Sequence, residues 1–162
     1  MTETFGRDRG DLCDTEAMDV QTAHGVFDDF VNGRLPKDAW THEAHLITCW
    51  VALKDRSPAE TLAFLREAIQ THNCGIGIRN TDSTGYHETL TVYYVTAVSQ
   101  ANAATLDELY EVPSCGRKAP LDHWSREVLY GAEARLGWVE PDVAPLPWQP
   151  EFDTAAAGSR GT

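Results

Sequence analysis

The chain has 162 residues, enough for one domain with a buried core and no disulfide staples. It carries 25 acidic side chains against 13 lysines and arginines, a net charge of −12, which disfavours nucleic acid and anionic membranes as partners. Residues 1–16 are polar and acidic rather than a secretory signal, no apolar run reaches 18 residues, and the four cysteines form no Cys-x-x-Cys pair, so a cytoplasmic protein is predicted.

The pattern between residues 15 and 139 is helical, and we predict an all-α, single-domain bundle of about five helices. Residues 1–14 are predicted to be a flexible lead, and residues 140–162 a proline-rich segment followed by a disordered tail. The first helix is expected at 16–32, because Gly33 follows it where a helix-ending glycine belongs. The second is expected from Thr41, a suitable N-cap, to about residue 54.

Later helices are marked by their own start signals. Ser57, Pro58 and Glu60 have the spacing of a capping box with proline in the first turn, which predicts a helix from there to about residue 72. A long loop, 73–85, follows. Residues 86–101, capped by Thr84 or Ser83, are assigned to a helix because the run is long and lacks the alternation of a strand. Further helices are expected at 105–111 and 121–136.

Two histidine clusters stand at the starts of apolar helices, in the stretches Thr-His-Glu-Ala-His-Leu at 41–46 and Gly-Tyr-His-Glu-Thr-Leu at 85–90. His42 and His45 are three residues apart, so on a helix they share the face that continues into the core. Glu43 is rotated about 100° away from that face and is not expected in the site. His87 and Glu88 are both able to point inward on the second helix.

These positions predict a metal site. In the first turn of a helix the positive end of the dipole favours the neutral imidazole, which is the form that binds a metal ion. His42, His45 and His87, with Glu88 as the fourth ligand or the general base, fit a mononuclear divalent transition metal, and Zn, Fe, Cu and Ni all accept such ligands. Neither the His-Glu-x-x-His motif of zinc proteases nor the paired Glu-x-x-His motifs of di-iron bundles are present.

The leading hypothesis is therefore a metal-dependent enzyme that acts on a small polar metabolite. Glu88 and Tyr86 are the expected catalytic residues, and Asn73, Arg79 and Asn80 of the loop are expected to bind substrate, with Arg79 suited to clamp a carboxylate.

Two alternatives stay open: a metal-free enzyme that uses His–Glu acid–base catalysis, and a small-molecule binding or regulatory module. The reaction class is open as well, with redox chemistry on one side and hydrolase or lyase chemistry on the other. The oligomeric state is also open, and a homodimer is one possibility. The histidines outside the two clusters stand alone and are predicted to be surface or packing residues.

The stretches at 41–46 and 85–89, together with Trp-Val-Glu-Pro-Asp at 138–142, resemble those of a group of short bacterial proteins whose function is not assigned. In that group a Thr-His-x-x-His-Leu element and a Gly-Tyr-His-Glu-Thr element occur together. The resemblance covers about residues 27–147 and implies that His42, His45, His87 and Glu88 belong to one site. It also implies that position 43 is free to vary.

Overall fold

The computed structural model describes residues 9–150, with side chains from residue 20 onward, and this part of the chain is all-helical, as predicted. Its seven α-helices are α1 (Arg9–Val31), α2 (His42–Asp55), α3 (Pro58–Gly75), α4 (Glu88–Ala101), α5 (Leu106–Glu111), α6 (Arg126–Leu129) and α7 (Ala132–Leu136). Short 3-10 turns lie at Lys37–Ala39, Pro113–Cys115 and Ala119–Asp122. None of the helices described over 9–150 is long and apolar enough to cross a membrane.

Hydrogen bonds confirm two of the predicted helix starts. At the start of α2 the hydroxyl of Thr41 accepts from the backbone N–H of Ala44 at 3.2 Å. At the start of α3, Ser57 and Glu60 form the predicted capping box, and Pro58 occupies the first turn. Each cap satisfies an N–H group that has no partner inside the helix, which stabilises the helix by about 1 kcal/mol.

The first and the last of the predicted helices have different bounds in the structure. The helix α1 begins at Arg9, so residues 9–14 of the predicted lead are helical, and residues 1–8 lie outside the described residues. The predicted single helix 121–136 is wrong, because Ser125 caps the short α6 and Gly131 adopts an extended conformation that separates α6 from α7. The predicted helix overlooked Ser125, which is a helix N-cap within the range 121–136.

The helix α4 lies at the centre of the fold and packs on α2, α3 and α7, while α1 packs on α2 and α3. Trp124 is fully buried at the end of this core, where its ring meets Tyr93 edge-on at 5.8 Å and its Nε1 donates to the carbonyl of Val139. This packing sets α4 between α2 and α3 on one side and the α6–α7 segment on the other.

Residues 140–150 carry no regular helix but are attached to the domain. The carboxylate of Asp142 accepts from the N–H of Ser125 at 2.8 Å, and the ring of Trp148 lies 5.3 Å from that of Tyr93. The predicted disorder of the last ten residues falls outside the described residues.

Candidate functional site

A cavity of about 750 Å³ opens among α2, α3, α4 and the segment leading to α7, and its lining includes His42, His45 and His87. This volume is in the range of sites that hold small metabolites. The two histidine clusters therefore face one cavity, although they are more than forty residues apart in the chain. The other polar side chains of the lining are Thr41, Glu43, Thr48, Asn73, Tyr86, Thr91, Tyr94, Arg117, Tyr130 and Arg135.

The start of α2 fixes the rings of His42 and His45 by one nitrogen each. Nε2 of His42 donates to the carbonyl oxygen of Cys115 at 2.9 Å, and Nδ1 of His45 donates to that of Thr41 at 2.7 Å. Because a carbonyl oxygen only accepts, these bonds set the tautomers. Nδ1 of His42 and Nε2 of His45 are left with lone pairs that have no hydrogen-bond partner among residues 20–150.

His45 is held neutral by its surroundings. Its ring packs against that of Trp40, with the ring centroids 3.7 Å apart and the planes tilted by 30°. Burial lowers the pKa of His45 to about 4, and the neighbouring rings of His42 and His72 add to this. Near pH 7 the Nε2 lone pair is therefore available to accept a hydrogen bond or a proton.

The start of α4 differs from the prediction, since the helix begins at Glu88 and His87 itself is the N-cap. The predicted cap, Thr84, instead donates its hydroxyl proton to the carbonyl of Arg79 within the preceding turn. Nδ1 of His87 accepts from the N–H of Leu90 at 3.2 Å, and its Nε2 donates to the carbonyl of Leu129 at 2.6 Å.

Both ring nitrogens of His87 are thus hydrogen-bonded to backbone groups. The ring is buried, which lowers the pKa of His87, and the charge of Arg135 lowers it further. The ring is neutral, yet its one lone pair already accepts a hydrogen bond from the N–H of Leu90.

The carboxylate of Glu88 is bound by two other side chains. It is buried, forms an ion pair with Arg66, and accepts a hydrogen bond from the hydroxyl of Tyr86 at 2.6 Å. Glu88 is not among the residues that line the cavity.

Over residues 20–150, no group of three or more histidine, cysteine, aspartate or glutamate side chains is arranged to hold a metal ion. The predicted ligand set of three histidines with Glu88 is therefore not assembled.

Tyr86 lines the cavity, as expected of a catalytic residue. Burial and the negative charge of Glu88 raise its pKa, so the phenol stays protonated. The hydroxyl donates a hydrogen bond to Glu88, and the side chains of Arg66 and Thr91 also interact with it.

The three predicted substrate-binding residues have different roles. Asn73 is buried and lines the cavity, and its amide donates to Oδ1 of Asn80 at 3.0 Å. Asn80 does not line the cavity but braces the loop, since its Oδ1 also accepts from the N–H of Tyr86. Arg79 is exposed and lies outside the lining, so the structure does not place it as a clamp.

Gly85 closes the loop next to the site. Its φ of +78° lies in the left-handed region, and a Cβ atom there would collide with the backbone of Arg79 and Asn80. The carbonyl of Gly85 accepts a hydrogen bond from Nη1 of Arg135 at 2.9 Å. The loop and α7 are joined at this bond.

Several lining residues were not anticipated from the sequence. Arg117, Tyr94, Tyr130 and Arg135 all line the cavity, and no motif marks them. Glu43, which was expected to lie outside the site, also lines the cavity with an exposed side chain.

His72, predicted to be a surface or packing residue, is buried and packs against Trp40 with the ring centroids 4.8 Å apart. Its Nε2 donates to the carbonyl of Leu35.

Comparison with known proteins finds no family model that matches the chain and no significantly similar curated protein or solved structure. The resemblance to the bacterial group with the two histidine elements therefore stays a prediction.

Proposed function

We propose that the protein is a small enzyme that binds a small polar metabolite in the cavity and transfers protons with His42 and His45, without a requirement for a metal ion. The observation that carries the proposal is the pair of unpartnered lone pairs, Nδ1 of His42 and Nε2 of His45, on rings that line one cavity. An imidazole whose N–H is held by a backbone carbonyl presents its other nitrogen to accept a proton from a bound substrate.

Tyr86 and Asn73 supply the neutral polar groups of this site. The phenol of Tyr86 is fixed by Glu88 and the amide of Asn73 is fixed by Asn80, so both are oriented before a ligand enters. In this proposal Glu88 is a positioning residue for Tyr86 rather than the base.

A mononuclear Zn, Fe, Cu or Ni ion on His42 and His45 is the second candidate. Histidine ligands commonly donate their other ring N–H to a carbonyl oxygen, and both rings are held in this way. A metal bound there would polarise a substrate oxygen or activate water. His87 would serve as a ligand only after losing its cap bond to Leu90.

The test is turnover of small polar metabolites by the protein purified without a metal-affinity tag. A defined metabolite mixture is incubated with the wild type, with His45→Gln and with the exposed control His24→Gln, and consumption is followed by mass spectrometry. We expect consumption that survives a chelator, persists in H24Q and falls by about 100-fold or more in H45Q.

Consumption that persists in H45Q, or no consumption at all, would contradict the proposal. Activity lost to the chelator and restored by one of the four metals, with about one metal bound per chain, would establish the second candidate instead.

A further inference from the structure

Arg135, on α7, lines the cavity with a guanidinium group that the protein bonds on one side only. Its Nη1 donates to the carbonyl oxygen of Gly85 and lies 3.5 Å from that of Tyr86. Its Nε is buried and has no hydrogen-bond partner in the described residues. Nε and Nη2 together form the edge of a guanidinium that binds a carboxylate through two parallel hydrogen bonds. On this edge of Arg135, the N–H of Nε has no hydrogen-bond acceptor in the described residues.

Arg66 provides a comparison on the other side of Tyr86. Its guanidinium is paired with the carboxylate of Glu88. No such ion pair joins Arg135 to a carboxylate over residues 20–150. A buried N–H of a charged group without an acceptor is costly, and a ligand carboxylate would remove that cost.

The charge of the lining also favours an anion. Arg117 and Arg135 are the lysine or arginine residues of the lining, against one acidic residue, Glu43; Arg117 and Glu43 are both exposed, and Arg135 is half-buried. The protein as a whole has a net charge of −12, so the cavity is a locally positive region of an acidic molecule.

Part of the wall is apolar. It is formed by side chains of α3, α4 and the α6 region, among them Leu65, Ile69, Leu90, Val95, Leu121 and Leu129. A ligand that fills this space buries an apolar or aromatic body beside the arginine.

We propose that Arg135 is the carboxylate-binding residue of the cavity and that the ligand is a monocarboxylate with an apolar body. The carboxylate lies on the Nε–Nη2 edge, and the body extends along the apolar wall towards His42 and His45. Because the subsite lies in the cavity of the proposed enzyme, it rests on that function and names its substrate class.

The test is a binding titration with two probes that differ in charge, 3-phenylpropionate and its neutral amide 3-phenylpropionamide, followed by NMR at neutral pH. We expect the carboxylate to bind about 10- to 100-fold more tightly than the amide, which is the worth of a charge-assisted hydrogen-bonded pair. The Nε–H resonance of Arg135 should move downfield as the carboxylate binds, a readout that needs no variant.

Three variants locate the effect. Arg135→Gln should abolish the preference for the carboxylate, and Arg135→Lys should keep only part of it, because lysine lacks the planar fork. The matched control Arg79→Gln should leave the preference unchanged.

His45→Gln should also leave the preference unchanged, and this separates the subsite from the proposed chemistry. A carboxylate preference that depends on Arg135 in a protein without turnover would uphold the subsite and contradict the enzyme. Equal affinity for the two probes, no binding of 3-phenylpropionate at about 10 mM, or a preference that persists in R135Q would overturn the assignment.

Discussion

The helix starts of α2 and α4 carry similar histidine signals in the sequence, yet they use their rings in different ways. At α2 the cap is Thr41, so His42 and His45 each give one N–H to a carbonyl and keep one lone pair without a hydrogen-bond partner in the described residues. At α4 the cap is His87, whose lone pair is taken by the N–H of Leu90. The residue that caps a helix therefore decides whether a neighbouring histidine is available for chemistry.

The comparison also separates two kinds of neutral histidine. Burial lowers the pKa of both His45 and His87. A neutral ring is required of a base or a ligand, but it is equally what a buried N-cap needs. The hydrogen-bond partners of each ring nitrogen, rather than the charge of the ring, distinguish the two roles.

The largest effect on the free energy of unfolding is expected at the start of α4. His87→Ala removes the cap of Leu90 and leaves the carbonyl of Leu129 without its donor, so we expect the free energy of unfolding to fall by about 2–4 kcal/mol. His87→Asn, which can still cap the helix, should lose less. Thr41→Ala at α2 removes a cap alone and should cost about 1 kcal/mol. Urea denaturation measures all three, and an H87A loss no greater than that of T41A would contradict a structural role for His87.

A second prediction concerns the pH dependence at α2. The pKa of His45 is about 4 in the folded protein and about 6.5 in the unfolded chain, so unfolding takes up a proton between these values. Its contribution to stability is present above pH 6.5 and is lost as the pH falls towards 4.

His45→Gln should remove a slope of up to about 1.4 kcal/mol per pH unit in this window. Denaturation of the wild type, H45Q and H24Q at several pH values measures the difference in slope. Equal slopes in the wild type and H45Q would show that the ring is not held neutral.

A smaller effect is expected for the hydrogen bond between Tyr86 and Glu88, the first residue of α4. Tyr86→Phe and Glu88→Gln each weaken the same hydrogen bond, so a double-mutant cycle should give a coupling of about 1–2 kcal/mol in the free energy of unfolding. Thr96→Val paired with Glu88→Gln provides a control cycle, since the hydroxyl of Thr96 donates to the carbonyl of Val92, further along the same helix. A coupling between Tyr86 and Glu88 no larger than this control would mean that Glu88 does not hold the phenol.

Much of the fold was predictable from local chemistry. Helix class, the cap at Thr41 and the capping box at Ser57 all depend on residues within one turn of each other. The start of α4 was misplaced because Ser83 and Thr84 were the expected caps, and histidine is not among the residues that usually cap a helix. Only the donor at Leu90 and the carbonyl of Leu129, more than forty residues away, select the histidine.

The site was predictable in part for the same reason. The rings of His42, His45 and His87 were expected in one place, and they do line one cavity. The role of Arg135 depends on the carbonyl of Gly85, fifty residues earlier in the chain, and on the absence of a nearby carboxylate in the described residues. Neither condition leaves a motif in the sequence.

The most direct measurement is the tautomer of each histidine ring, read from long-range nitrogen–proton NMR correlations near pH 7. The account predicts protonated Nε2 in His42 and His87, protonated Nδ1 in His45, and a hydrogen-bonded Nδ1 in His87 that does not respond when Zn²⁺ is added. A proton on Nδ1 of His87, or a His87 ring that responds to Zn²⁺ together with those of His42 and His45, would contradict it.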